Sequence, residues 1–300
     1  MATLRDLKGR IASVASSEKI TGAMKMISSA KMHKAEGALR RLVPFRSQIE
    51  TIIANLLSSD AEFDSPLVNA PAETRNVLLL AWGSDEGLCG AYNVNIYKQV
   101  VARISDIKAR FPQALITVCP IGHKLAGACS HIKLAGVKVV ASSKDLGYEF
   151  VNSKSEGEDV NTFTDAIVKN FLAKQVDCCE VLYMNYISAG RQRAKAQQLL
   201  PVLASTFKQD KGAGDERPYI FEPGPGPIFN TVLPMFLMST MQDIFTENRA
   251  SEQAARVMAM QAANDNAKKL LDSLRLEYNK LRQQSITAEL LDIVGGQVKN

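Results

Sequence analysis

A glycine-rich loop is the first place where this chain could do chemistry. Residues 83–90 (GSDEGLCG) follow a strand-like segment and precede a helix-like one, the position in which phosphate-binding loops lie. The spacing matches neither GxGxxG nor GxxxxGK[ST], and the loop has no lysine. Asp85 and Glu86 would also repel a phosphate group. The pattern therefore favours a surface loop that touches a partner over a nucleotide site.

Four residues that can bind soft metals lie close together in the sequence, namely Cys119, His123, Cys129 and His131. Their C-x3-H-x5-C-x-H spacing matches none of the usual zinc sites. The chain has three histidines, and no nucleophile–base pair stands out. The five cysteines are odd in number and scattered, which indicates a reducing compartment rather than a disulfide framework. The sequence therefore predicts no catalytic residue, no metal and no cofactor.

Composition and charge narrow the class of protein. Of the 300 residues 46% are hydrophobic, which is enough for a core, and no apolar run reaches the roughly 18–20 residues that a membrane-spanning helix needs. Residues 1–50 carry ten Lys or Arg against four acidic residues. A basic first helix favours an acidic protein, a nucleic acid or a membrane surface as partner. The Arg- and Ser-rich start also faintly resembles a mitochondrial transit peptide, although the same residues fit a structural helix.

The longest predicted elements of the chain are helices at its two ends. Alternating steps of three and four from Leu4 to Leu56 reach sixteen positions, of which eleven are apolar. This spacing is typical of a helix that packs along a partner helix. Pro44 is expected to kink the helix or loosen one turn, and each of its three glycines weakens it by about 1 kcal/mol relative to Ala.

The C-terminal end shows a second long helical pattern. Residues 235–294 contain neither Gly nor Pro, and their apolar residues mostly recur three or four apart until Gly295 and Gly296 stop the pattern. A helix of that length, about 90 Å, cannot bury its apolar face inside a 300-residue globule. Two such helices can bury their faces against each other, and the compact segment between them makes the pair antiparallel. An ordinary bundle would need shorter helices and more breakers.

The middle of the chain alternates strand-like and helix-like segments. This order predicts a largely parallel sheet with helices on its faces, and the fold class is therefore α/β, a long antiparallel coiled coil with a central Rossmann-like domain. The stretch from Asp210 to Pro227 is rich in Gly and Pro and predicts a linker without regular structure. The expected strands are 77–82, 115–119, 137–141 and 181–187, and the expected helices lie near 91–110, 121–133 and 161–176. The expected division is an N-terminal helix at 1–58, an α/β domain at 75–205, a linker at 206–229 and a C-terminal helix at 230–296.

Particular residues add a resemblance to this pattern. Residues 20–27 (ITGAMKMI), 250–260 (ASEQAARVMAM) and 278–289 (YNKLRQQSITAE) resemble the gamma subunits of F-type ATP synthases, and residues 84–90 (SDEGLCG) are similar to that family's loop after the first strand. The resemblance covers the two ends and a short island near 75–100. Gly22 departs from it, since the family usually has a basic residue there, as does Gln297, where a small Ala is usual; residues 188–230 cannot be matched.

The resemblance implies a rotor in the central stalk of a proton-translocating ATP synthase. The coiled coil would lie inside a ring of three alpha and three beta subunits, and the middle domain would dock on the epsilon (delta) subunit and the membrane c-ring. The family pattern implies a non-catalytic subunit that binds no nucleic acid and does not span the membrane. It also implies a location on the matrix side of the mitochondrial inner membrane or, alternatively, on the cytoplasmic side of a bacterial plasma membrane.

The resemblance also implies contact residues. Met24 and Lys25 correspond to positions that face the acidic lever region of the beta subunit. A polar shaft contact suits rotation, because a deep apolar anchor would hold one angle. The positions implied to touch the catch loops of the alpha and beta subunits are Glu252, Arg256, Arg282, Gln283 and Thr287. The apolar tip expected to turn in a collar consists of Leu290, Leu291, Ile293 and Val294. The alternative is a structural tethering coiled coil, which shares the heptads but would not have the blocks at 250–260 and 282–289.

Overall fold

A computed structural model describes residues 3–57, 65–69, 71–148, 151–152, 154–155, 157–203, 207 and 221–297. The helices are α1 (Leu4–Leu57), α2 (Tyr92–Arg110), α3 (His123–Cys129), α4 (Gly157–Leu172) and α5 (Pro225–Gln297), with a 3-10 turn at Ser143–Leu146. The strands are β1 (Asn76–Trp82), β2 (Leu115–Ile121), β3 (Val137–Val139), β4 (Cys178–Ser188) and β5 (Arg191–Leu200).

The strands form one five-stranded sheet in the order β3-β2-β1-β4-β5. The first four are parallel, and β5 pairs antiparallel with β4. The four strands expected from the sequence are all present, with ends that differ by a few residues. Strand β5 was not expected, because Arg191–Gln198 is polar and shows no apolar alternation.

Both faces of the sheet are covered, which explains the uninterrupted apolar run of β1. Val77, Leu79 and Ala81 pack on the side of α2 and α3. Leu78, Leu80 and Trp82 pack on the opposite side, with α4 and with the parts of α1 and α5 nearest the sheet. A strand buried on both faces is typical of a parallel sheet with crossover helices.

By compactness the chain divides into two units, which are described separately. The terminal unit contains the described residues among 1–29 and 256–300, and the central unit those among 30–255. In the terminal unit Leu7 is fully buried and Leu274 nearly so. The amide of Asn264 donates to the Glu18 carbonyl at 2.7 Å. A Cβ on Gly22 would lie 3.3 Å from that amide nitrogen, so this position is glycine where α1 and α5 approach closely.

In the central unit the two helices run antiparallel. Arg46 of α1 forms an ion pair with Asp243 of α5 at 2.9 Å. The apolar residues of α1 that follow Arg46 pack in a cluster whose α5 members lie between Phe229 and Phe245. Later residues of α1 therefore pack against earlier residues of α5, as in an antiparallel pair. The expected fold class, an antiparallel pair of long terminal helices with a central α/β domain, is confirmed.

Several helix ends differ from expectation: α3 (His123–Cys129) and α4 (Gly157–Leu172) are offset from the expected 121–133 and 161–176, and α5 continues through Gly295 and Gly296 to Gln297. Helix α5 begins at Pro225, inside the stretch for which no regular structure was expected. Proline suits the first residue of a helix, because its fixed φ is helical and its missing N–H is not needed there. Residues 206 and 208–220 of the expected linker lie outside the described residues. Helix α1 is continuous through Pro44. The division into domains at 58, 75, 205 and 230 stays a prediction.

Candidate functional site: exposed helix residues and a buried polar anchor

The glycine-rich loop after β1 uses its polar groups internally. The Ser84 amide donates to the Asn93 side chain at 3.2 Å, and the Ser84 hydroxyl donates to the Glu86 carbonyl at 2.8 Å. A Cβ on Gly83 would lie 2.4 Å from Cβ of Leu125, so this glycine lets α3 pack closely on the loop. The loop is therefore a packing element of the central unit.

The cysteine and histidine residues singled out in the sequence do not form a metal centre in the described part of the chain. No group of three or more His, Cys, Asp or Glu that could hold a metal occurs there. Cys119 and Cys129 are buried, and desolvation raises the pKa of both thiols to about 12. A buried, protonated thiol is a poor metal ligand and a poor nucleophile.

The residues implied as partner contacts fall into two groups. Met24 and Lys25 are half-buried on α1, and Arg282, Gln283 and Thr287 are exposed on α5. Glu252 and Arg256, in contrast, are buried, with 2% and 4% of their surface exposed. Long charged side chains are seldom buried unless they are paired. Burial gives these two residues a role in the chain's own structure, whatever they touch in an assembly.

The last turns of α5 expose a run of large apolar side chains. Leu290, Leu291, Ile293 and Val294 are 57%, 66%, 64% and 59% exposed. Single exposed apolar residues are common, but several within two turns mark a surface that another protein covers. That this segment is a tip that turns in a collar stays a prediction.

A buried polar anchor, which the sequence did not reveal, joins α5 to the sheet of the central unit. The side-chain oxygen of Asn248 accepts from the Tyr92 hydroxyl at 2.8 Å and from the Met184 amide at 3.2 Å. Its side-chain nitrogen donates to the Gly83 carbonyl at 3.2 Å. One turn later the Ser251 hydroxyl donates to the Met184 carbonyl at 2.9 Å. One asparagine thus ties α5 to α2, to β4 and to the loop after β1.

The next two residues of β4 extend this anchor to both long helices. The Asn185 amide donates to Glu247 of α5 at 2.7 Å. The Tyr186 hydroxyl donates to Glu36 of α1, and this hydrogen bond is the main reason why the pKa of Glu36 is lowered. Residues 184–186 at the end of β4 therefore hold α5 and α1 together. Such an arrangement resists twisting of the helices relative to the sheet.

The chain matches the family model described as ATP synthase over residues 3–298. The ATP synthase gamma chain of Phocaeicola vulgatus is 35% identical over 298 residues, which cover 99% of this chain and 100% of the relative. The gamma chain of Leptospira biflexa is 33% identical over 296 residues, covering 99% and 98%. This chain belongs to the ATP synthase gamma chain family.

Solved structures agree on the fold of the gamma chain. A chain in the rotational state 3 structure of the Euglena gracilis mitochondrial ATP synthase, with OSCP, F1 and c-ring, superimposes with a TM-score of 0.61 at 18% identity. The match covers 98% of this chain and 93% of that chain. A chain from the central stalk and c-ring of the Tetrahymena thermophila mitochondrial ATP synthase matches with a TM-score of 0.54 and covers 81% of this chain.

The family assignment tests the expected role and location of the chain. A central-stalk subunit of an ATP synthase is confirmed, and the alternative of a tethering coiled-coil protein is not favoured. The mitochondrial location is not supported, because the gamma chains similar in sequence come from bacteria. In the described part of the chain, no helix is long and apolar enough to cross a membrane.

One ion pair of this gamma chain should make its stability depend on pH. Desolvation raises the pKa of Asp243 to about 6; Arg46 opposes that rise, whereas Glu247 and Glu50 add to it. A carboxyl group whose pKa is higher in the folded state than in the unfolded state stabilises the fold at low pH, and this stabilisation is lost as the pH rises through about 6. Between pH 7.5 and pH 5 we therefore expect the natural chain to gain about 1–2 kcal/mol of unfolding free energy relative to Asp243→Asn.

Urea denaturation of the two proteins at a series of pH values measures this difference. The asparagine variant is the appropriate reference, because it keeps the size of the side chain and removes its titration. Parallel stability curves over this pH range would show that Asp243 does not titrate there.

Proposed function

We propose that this chain is the non-catalytic rotor of a proton-translocating ATP synthase. It turns inside a ring of three alpha and three beta subunits, and its central unit docks on the epsilon subunit and the membrane c-ring. It is peripheral to the membrane, on the cytoplasmic side of a bacterial plasma membrane, which the bacterial origin of the similar gamma chains supports. Rotation of the membrane ring is thereby coupled to the conformation of the catalytic subunits.

The observation that carries this proposal is the full-length similarity to gamma chains, which includes both ends of the molecule. Two long helices occupy those ends, and α5 finishes in an exposed apolar segment. A surface of this kind suits a sleeve of other subunits, since apolar side chains that face water are stabilised when a partner covers them.

The proposed mechanism rests on asymmetry. Three identical catalytic subunits become different when an asymmetric shaft presents a different face to each of them. Each face stabilises the subunit conformation that fits it best, by no more than the difference in contact energy between conformations. Rotation passes that preference to the next subunit. The anchor at Asn248 suits this role, because torque must pass between the sheet domain and the helices.

The proposed partner contacts are of three kinds. Met24 and Lys25 face the acidic lever region of the beta subunit. Gln283, with Arg282 and Thr287, offers exposed polar groups to the catch loops, and such contacts are weak enough to be broken at each step. The apolar tip at 290–294 turns in a collar. Glu252 and Arg256 are almost completely buried, so they can offer only a small part of their surface to the catch loops.

The difference in burial predicts different behaviour for two alanine variants. Gln283→Ala should lower the ATP turnover of the assembled complex severalfold and leave the melting temperature of the isolated chain unchanged, because the side chain is exposed. Arg256→Ala should lower both, because it opens a buried site. Gln113→Ala, an exposed glutamine between α2 and β2, is the control and should change neither. Equal turnover for the natural chain and Gln283→Ala would remove Gln283 from the contacts.

Co-assembly tests the proposed function as a whole. The chain should join alpha and beta subunits in a ratio of one to three to three, and the isolated chain should not hydrolyse ATP. Hydrolysis by the isolated chain, or assembly in another ratio, would refute the rotor role.

A further inference from the structure

Strand β5 lies at the edge of the sheet that the described residues form. Among the described residues it pairs only with β4. In such a strand every second residue directs its backbone N–H and C=O away from the single partner. An open row of this kind can pair with a strand from another chain.

The pairing of β5 is regular where it could serve as a template. Seven consecutive pairs run without irregularity from Glu180–Gln198 to Tyr186–Gln192, and the two register shifts lie at the ends of this run. Proteins often block an edge strand with a bulge, a proline, a very short strand or charged side chains. Residues 192–198 contain no bulge and no proline, so the backbone offers an unbroken segment, and the charges of Arg193 and Lys195 oppose pairing with any strand that is not acidic.

Charge indicates what could pair there. Arg191, Arg193 and Lys195 are exposed, and residues 188–200 contain no Asp or Glu. No ion pair joins any of these three side chains to another described residue. The Lys195 ammonium instead lies 6.0 Å from the centre of the Tyr183 ring. The strand is therefore a regular and positively charged edge, without a second strand partner among the described residues.

Positive charge disfavours two of the possible occupants. A second copy of β5 would place like charges opposite one another, which destabilises a strand pair. A single-stranded nucleic acid could neutralise the side chains, but it would leave the backbone edge unpaired. An acidic polypeptide satisfies both the side chains and the backbone.

We propose that β5 is a docking strand for an acidic, extended segment of a partner protein, which adds to the sheet beside β5. Backbone hydrogen bonds align the segment, and its carboxylates pair with Arg191, Arg193 and Lys195. This inference does not depend on the rotor role, because it rests only on the register and charge of the central unit.

The test uses the full-length chain and a synthetic peptide as long as β5, in which glutamate alternates with valine. Fluorescence anisotropy of the labelled peptide should show saturable binding that weakens with salt. Hydrogen exchange of the complex should show new protection at residues 191–198. The triple variant Arg191→Glu, Arg193→Glu, Lys195→Glu should weaken binding by about tenfold or more, since each exposed pair contributes modestly.

Two controls separate docking from nonspecific attraction. Lys138→Glu, on the three-residue strand β3 at the opposite edge of the sheet, should leave peptide affinity unchanged. A peptide with the same side chains but with alternate backbone amides methylated should not bind, because it cannot pair with the edge.

Four results would each overturn the proposal. These are the absence of peptide binding, an affinity that the triple variant does not change, binding without new protection in β5, and equally tight competing binding of oligothymidylate. The last result would assign the surface to nucleic acid.

Discussion

Replacing Asn248 by leucine is expected to lower the free energy of unfolding of the central unit by about 2–4 kcal/mol. The substitution leaves the Gly83 carbonyl and the Met184 amide without the partner that the Asn248 side chain supplies, whereas the Tyr92 hydroxyl keeps its hydrogen bond to the backbone carbonyl of residue 248 at 3.2 Å. A buried group that loses its hydrogen bond destabilises a fold by about 1–3 kcal/mol, and the Gly83 and Met184 groups are close enough that their effects are less than additive.

Urea denaturation followed by the fluorescence of Trp82 measures this change. Trp82 is the only tryptophan, and its ring packs against Phe163 and Phe245 in the central unit. Asn230→Leu is the matched control, because Asn230 is exposed on the same helix within the central unit and the same substitution there should change stability by less than about 0.5 kcal/mol. Equal midpoints for the two variants would contradict the anchor.

The second large effect is expected at Glu180. This carboxylate is fully buried in β4 and pairs with Arg103, at 2.6 Å, and with Arg110, both on α2. Alanine at this position leaves two guanidinium groups without their counter-charge and creates a cavity, so we expect a loss of about 3 kcal/mol. Both arginines are partly exposed and can still be hydrated by water. The expected loss is therefore at the lower end of the range of about 3–5 kcal/mol that is typical when a buried ion pair loses one partner.

The same denaturation measurement tests Glu180, with Glu73→Ala as its control. Glu73 pairs with Arg75 on the surface, where both side chains are more than half exposed, and such a pair contributes at most about 1 kcal/mol. A Glu180 variant that is no less stable than the Glu73 variant would show that the buried pair does not hold α2 on the sheet.

Much of the fold follows from local sequence pattern. The heptad pattern of α1 correctly predicts which side of the helix is buried. Five of its apolar positions are buried in the structure, namely Leu7, Met32, Ala35, Ile53 and Leu56. The parallel strands follow from short apolar runs that two helical layers cover. Strand β5 could not be predicted in this way, because backbone pairing with β4 holds it in the sheet and few of its side chains are apolar.

The candidate site was only partly visible in the sequence. The apolar residues Leu290, Leu291, Ile293 and Val294 can be recognised locally, and they are exposed. The polar anchor cannot be recognised from local sequence, because Asn248 forms its hydrogen bonds with residues that lie 64 to 165 positions away along the chain. A polar residue among the apolar positions of a long helix is the signal that would have pointed to it. Burial of Glu252 and Arg256 is likewise a property of tertiary packing, which short motifs do not encode.

Rotation of the chain inside its catalytic ring tests the central claim most directly. All five natural cysteines are buried, so a cysteine introduced at exposed Lys138 offers a selective attachment point for a visible marker. In a complex with surface-fixed alpha and beta subunits, ATP should drive the marker in one direction, pausing once for each catalytic subunit in every turn. Sustained ATP hydrolysis by the labelled complex with a stationary marker would contradict the account.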